Sequence, residues 1–122
     1  MYYVYMVRCT DGSHYTGMAA DIRRRMQEHL ERGEACAKYT RTHPVCALDA
    51  LWTTGTRAEA MRLEALIKTL TKWQKLRLIE NPDILEDLFG DRLRGSRFEP
   101  VSPESIEGLP FPAASPGTDR PD

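Results

Sequence analysis

The sequence predicts a small α+β domain, a three-stranded antiparallel sheet flanked by helices in the order β-β-α-β-α-α. Three observations predict it. Tyr2 to Cys9 is rich in aromatic and β-branched residues and runs into a Thr10-Asp11-Gly12-Ser13 turn signal. Later segments carry apolar residues at helical spacing behind helix-capping sequences. The apolar residues of the first strand fall on both parities, which suits a central strand covered on both faces.

His14 to Met18 reads as a second, short strand, so the chain opens with a hairpin. Asp21 can cap a helix over Ile22 to Arg32, with Gly33 ending it and Ile22, Met26 and Leu30 as its apolar stripe. Glu34 to Pro44 reads as a loop and Val45 to Thr53 as a third strand. Thr56-x-x-Glu59 opens a helix to about Leu70, with Ala60, Leu63, Ile67 and Leu70 facing in. Thr71-x-x-Gln74 opens another to about Glu80, with Leu76 and Ile79 facing in, and Pro82 follows its end. A short helix over Ile84 to Phe89 is expected after that.

Three segments result: a folded domain over 1–81, a short extension over 82–97 and a tail over 98–122. Six of the eight prolines lie in residues 100–122, among Ser, Gly and Asp. Such a composition buries too little surface to offset its ordering entropy, so the tail is expected to be disordered. Charge follows the same division. Residues 1–80 hold 13 Lys/Arg against 9 Asp/Glu, net +4, and residues 81–122 hold 4 against 9, net −5. A basic body can meet a polyanion, and the acidic tail opposes it.

The absence of any run of about 18 apolar residues excludes a membrane-spanning helix. The first eight residues read as a strand rather than a signal peptide. Cys9, Cys36 and Cys46 are odd in number with no CxxC pair, so a disulfide framework is not expected and a reducing cytoplasm is the default location. The Cys36, His43 and Cys46 spacing does not form a standard zinc knuckle and lacks a fourth ligand.

Arg25 and His29 are four residues apart and share a helix face beside the apolar stripe. Tyr5 and Tyr15 are either plain core aromatics or members of a shared site. They share a face only if the hairpin loop is odd in length, as with Asp11-Gly12-Ser13 and a left-handed Gly12. Glu64 lies at the margin of its helix's apolar stripe, either as an exposed partner of Lys68 or as a partly desolvated carboxylate suited to a hard cation. Lys38, Tyr39, Arg41 and His43 form a basic loop with an aromatic, suited to phosphate contact or base stacking, or else a solvated loop whose tyrosine packs on the domain. Arg24 and Lys68 are grouped with it as candidate nucleic-acid contacts.

Tyr5, Tyr15, Gly17, Arg25, His29 and Glu64 stand in the order and spacing of the GIY-YIG nuclease domain family, over about residues 2–80. The segment Ala37-Lys38-Tyr39-Thr40-Arg41 resembles the small stand-alone bacterial branch, akin to the nuclease domain of excinuclease C. The two tripeptides correspond to Tyr3-Val4-Tyr5 and Tyr15-Thr16-Gly17, with Val4, Thr16 and Gly17 as their structural letters; the first glycine is missing and Thr16 replaces isoleucine. The resemblance implies a metal-dependent endonuclease acting on branched or single-stranded DNA, in repair or recombination. It implies Glu64 holding Mg²⁺ or Mn²⁺ and Arg25 stabilising charge on the phosphate. Tyr5 would help deprotonate the attacking water, Tyr15 would orient water or phosphate, and His29 would share the proton. The rival reading keeps the scaffold as a non-catalytic nucleic-acid-binding module.

Overall fold

The structure is a computed structural model and describes residues 1–93 and 95–111. Strands β1 (Tyr2–Cys9), β2 (His14–Ala19), β3 (Val45–Thr54) and β4 (Glu99–Pro100) form one sheet in the order β2-β1-β3-β4, with every neighbouring pair antiparallel. The helices are α1 (Ile22–Glu31), α2 (Lys38–Thr42), α3 (Arg57–Lys68), α4 (Lys72–Glu80) and α5 (Leu85–Phe89). The architecture is the expected α+β one, with a fourth strand added.

The hairpin decides where the tyrosines go. The Cys9 amide donates to Ser13 O at 2.8 Å and the Gly12 amide to Cys9 O at 2.9 Å, so the loop is Thr10-Asp11-Gly12. It lies one residue earlier than expected but keeps its odd length. Gly12 closes it at φ 86°, the left-handed position that glycine occupies without steric cost. Asp11 Oδ1 accepts from the Ser13 amide at 3.0 Å and from its hydroxyl at 2.6 Å, which locks the turn. Val7 then lies opposite Tyr15 and Tyr5 opposite Gly17, putting Tyr5, Val7 and Tyr15 on one face.

Helix starts follow the capping chemistry. Asp21 accepts from the Arg24 amide at 3.1 Å and Thr56 Oγ1 from the Glu59 amide at 3.1 Å. Thr71 and Gln74 satisfy each other's amides in a complete capping box. At the end of α1 it is Arg32, at φ 54°, rather than Gly33 that turns left-handed.

The central strand β1 is buried on both faces: Val4, Tyr5, Met6 and Val7 are all at 0 % exposure. Val4 and Met6 join Ala50 and Trp52 under Ala60, Leu63 and Ile67 of α3, Leu78 of α4, and Leu85, Phe89 and Leu93. Tyr5 and Val7 join Leu48 and Leu51 on the other face, under Ile22 and Met26 of α1.

Three expectations change. Leu30 does not complete the α1 stripe; it is 45 % exposed, and His29 is buried in its place, at the i, i+7 position from Ile22. On α4, Leu78 and Ile79 are buried, whereas Leu76 is only half-buried. The segment expected as loop contains α2, a single helical turn too short to show a hydrophobic period.

The tail expectation is corrected over residues 99–111. Glu99 and Pro100 pair with Thr53 and Trp52, and the Val101 amide donates to Leu51 O at 2.9 Å. Proline is tolerated there because β4 is an edge strand. Val101, Ile106, Leu109 and Phe111 pack on the α1-side core, burying surface that the proline-rich composition conceals. The rest of the expected disordered segment, 112–122, lies outside the described residues.

Candidate active site

Gly17 allows the two tyrosine motifs to meet. A Cβ on Gly17 would fall on the Tyr5 hydroxyl and 2.6 Å from its Cζ, so the tripeptide's glycine is a space requirement. In that space the Tyr5 hydroxyl reaches His29 Nε2 at 2.7 Å and receives Arg25 Nε–H at 3.3 Å. His29 Nδ1 meets Thr40 Oγ1 at 2.8 Å, and Cys36 Sγ lies 2.8 Å from the same hydroxyl. Tyr5, His29 and Thr40 are all at 0 % exposure, so this chain is dry.

Its direction follows from what each group can donate. Arginine only donates, so the Tyr5 oxygen accepts from Arg25 and its one proton points to His29 Nε2. The imidazole is neutral there, its pKa lowered to about 4 by burial and then by the charge of Arg25, against the opposing pull of Glu28. A neutral ring that accepts at Nε2 carries its proton on Nδ1 and donates it to Thr40 Oγ1. Thr40 in turn donates to Ala37 O at 3.3 Å. Burial raises the Tyr5 phenol well above its ordinary pKa, with the Arg25 hydrogen bond and charge opposing and the Tyr15 and Glu64 charges adding to the rise.

Arg25 is fixed by three contacts: Nε to Tyr5, and Nη1 at 2.7 Å both to Glu28 Oε1 and to Ala35 O. Its side chain stays 24 % exposed, at the edge of an open depression of about 340 Å³ lined also by Met18, Asp21, Arg24 and Glu28. The tyrosines stand beside that depression rather than lining it. Arg24 is 78 % exposed and pairs with Glu28 at 3.4 Å across one helical turn.

Tyr15 is half-buried and is the solvent-side ring of the pair. Its ring lies 5.6 Å from His29 edge-on, and Tyr39 stacks at 6.1 Å on it. Tyr39 in turn stacks on His43 at 3.9 Å and donates its hydroxyl to Ser13 Oγ at 2.7 Å. Lys68 Nζ stands 5.6 Å over the Tyr15 ring and 3.3 Å from Glu64 Oε2. Glu64 is 21 % exposed: it pairs with Lys68 and is partly desolvated.

Other expected residues fall outside this cluster. Lys38 is exposed, and Arg41 spends its guanidinium on Glu34 O and Cys36 O at 3.3 Å each, which makes it a tie for the loop. Val4 faces the opposite core, and Thr16 is buried with its hydroxyl unpaired. Thr40, Cys36 and Glu28 were not anticipated. A threonine in a polar segment carries no signal of its own; the resemblance carried by Ala37-Lys38-Tyr39-Thr40-Arg41 pointed to the segment but gave Thr40 no role.

Residues 1–77 match the GIY-YIG catalytic domain family. The chain belongs to that family. It is 43 % identical over 82 residues to a UPF0213 protein of Fusobacterium nucleatum, covering 67 % of this chain and 80 % of that one. A UPF0213 protein of Staphylococcus aureus is 43 % identical over 79 residues, covering 65 % of this chain and 94 % of that one. The solution NMR structure of a UPF0213 protein from Bacillus halodurans is 35 % identical, covering 75 % of this chain and 96 % of that chain at a TM-score of 0.45. GIY-YIG membership makes nuclease chemistry the function class and nucleic acid the substrate class. Among the described residues no helix is long and apolar enough to cross a membrane.

Proposed function

We propose that this GIY-YIG protein is a divalent-cation-dependent endonuclease that hydrolyses phosphodiester bonds in branched or single-stranded DNA, in repair or recombination. One observation supports it above the others. A one-directional hydrogen-bond chain runs from Arg25 through Tyr5 and His29 to Thr40, beside a half-exposed tyrosine and a nearby carboxylate. Plain packing does not need four polar groups aligned in that way.

The donor chemistry fits a hard cation. Among the described residues no group of three or more His, Cys, Asp or Glu forms a metal cage. Glu64 offers one partly exposed carboxylate, the kind of ligand Mg²⁺ or Mn²⁺ uses when phosphate and water complete the shell. Glu64 would hold the ion, which when bound supplies Lewis-acid polarisation of the phosphate. Its partner Lys68 is exposed, so the lysine end of the pair can swing away at little cost. Lys68 is then free to meet a phosphate oxygen.

Arg25 stabilises charge gathering on the phosphate, held by Glu28 and Ala35 so that it does not reorganise. Tyr15, the ring nearer solvent, orients the water or phosphate. Tyr5 helps deprotonate the attacking water: burial holds its proton on the oxygen, directed at His29 along a 2.7 Å bond, and Arg25 with the bound cation would favour the phenolate against that burial. Tyr39, stacked on Tyr15, extends an aromatic surface toward the bases.

The test is incubation of labelled branched and single-stranded DNA with Mg²⁺, Mn²⁺ or chelator, for the wild type and Glu64→Gln. Nicking by the wild type alone, and only with a cation, supports the reading. Equal cutting by Glu64→Gln sinks the assignment of Glu64. The full burial of Tyr5 favours one rival, a non-catalytic nucleic-acid-binding module. Salt-sensitive binding with no product in any cation would establish that rival instead.

A further inference from the structure

Trp73 is the most exposed large apolar side chain among the described residues, at 77 %. The chain's other tryptophan has the structural role: Trp52 is at 0 % exposure and donates Nε1–H to Pro82 O at 3.0 Å. Trp73 sits in the first turn of α4, between Lys72 and Lys75, with Arg77 one turn on and no acidic residue before Glu80. Lys72 and Lys75 line a shallow depression of about 250 Å³ together with Gly12, Ser13 and His14 of the hairpin tip. Lys68, four residues before Lys72, leans over Tyr15.

The nearby acids are spoken for. Asp11 is held by the Ser13 amide and hydroxyl. Asp49 sits at a register shift of β3 opposite β1, 4 % exposed. Its carboxylate meets His14 Nε2 at 2.9 Å and Arg8 Nε at 3.8 Å.

We infer that the α4 first turn and the hairpin tip form a second nucleic-acid contact, in which Trp73 stacks on a base and Lys72 and Lys75 hold the adjoining phosphates of a single strand leaving the Tyr15 site along Lys68. Every base offers a π face, so a tryptophan flanked by cations binds single strands without reading sequence. Three cations on six residues of helix match a polyanion rather than an apolar protein surface. The inference takes its ligand from the nuclease reading but does not depend on cleavage.

The experiment is a titration of the full chain with a single-stranded DNA oligonucleotide in chelator, followed by tryptophan emission. Trp52 is out of reach of the strand, so quenching reports Trp73. Binding should quench the emission. Trp73→Ala should remove the quench and weaken binding about tenfold, as expected for loss of one stacked base. Lys72→Glu with Lys75→Glu should weaken it by at least about tenfold and flatten the salt dependence by about 1.4 log units per decade. Lys72 and Trp73 are exposed and Lys75 is half-buried on the flank of α4, so the circular dichroism and Tm of each variant are compared with the wild type before binding is read. Binding with unchanged emission, or variants that bind like the wild type, overturns the inference and leaves the nuclease reading standing. Quenching with no cleavage in any cation leaves this surface standing and removes the nuclease reading. No binding of the strand at all overturns the inference and leaves the nuclease reading to be decided by cleavage of branched DNA.

Discussion

The two faces of one sheet are built on opposite principles. Under α3 and α4, Val4, Met6 and Trp52 close an apolar core held by area and shape, with the Trp52 Nε1–H bond to Pro82 O at its edge. Under α1, the alternate residue of the same strand, Tyr5, opens a buried polar chain through His29 to Thr40. Successive strand residues point to opposite faces, so β1 serves both with no residue shared. Removing a polar group on the α1 side should therefore cost activity more than fold, and removing an apolar group on the α3 side the reverse.

The largest effect is expected from Arg25→Ala. Loss of a preorganised donor at a developing charge should lower the cleavage rate by about 10²–10³-fold, read in single-turnover kinetics with DNA affinity measured separately. An unchanged rate would put Arg25 with the packing. Its mirror is Leu78→Ala, at 0 % exposure on the other face. Chemical denaturation should show a loss of about 2–5 kcal/mol, with the rate per folded molecule preserved.

Gly17→Ala belongs to both faces of the comparison, because its Cβ would overlap Tyr5. A loss of about 1–3 kcal/mol is expected from the forced shift, together with a drop in rate; a neutral result would mean that Tyr5 is free to move. Acid should act through His29. Its folded pKa of about 4 lies below the unfolded 6.5, so between those values the unfolded chain binds more protons. Stability should therefore fall as pH drops from 6.5 toward 4, on the order of 2 kcal/mol from this group. His29→Gln should flatten that part of the profile of Tm against pH.

Much of this plan was legible from pattern. The odd hairpin loop, the two tyrosines on one face, the Thr56 and Thr71 caps and the closeness of Arg25 to His29 all follow from local rules that act within a few residues. What was not legible depends on distant partners. Leu30 and His29 compete for one position on α1, and hydrophobicity favours leucine; the Tyr5 hydroxyl and Thr40 decide for histidine by satisfying both ring nitrogens. Residues 99–111 looked too rich in proline to fold, yet an open edge of β3 and an uncovered patch of the α1-side core gave Val101, Ile106, Leu109 and Phe111 somewhere to go. Asp49 lies inside an apolar run, and only the register shift explains how its carboxylate comes to meet His14.

The claim that the α1-side polar chain exists for chemistry is tested most directly by Tyr5→Phe. That change removes one oxygen from a side chain at 0 % exposure and leaves its ring in place. Cleavage of labelled branched DNA should fall by at least about a hundredfold, the usual worth of a positioned acid–base group, while the variant still folds and still binds DNA. A Tyr5→Phe protein that cuts at the wild-type rate would contradict the account and return Tyr5 and His29 to the packing of the core.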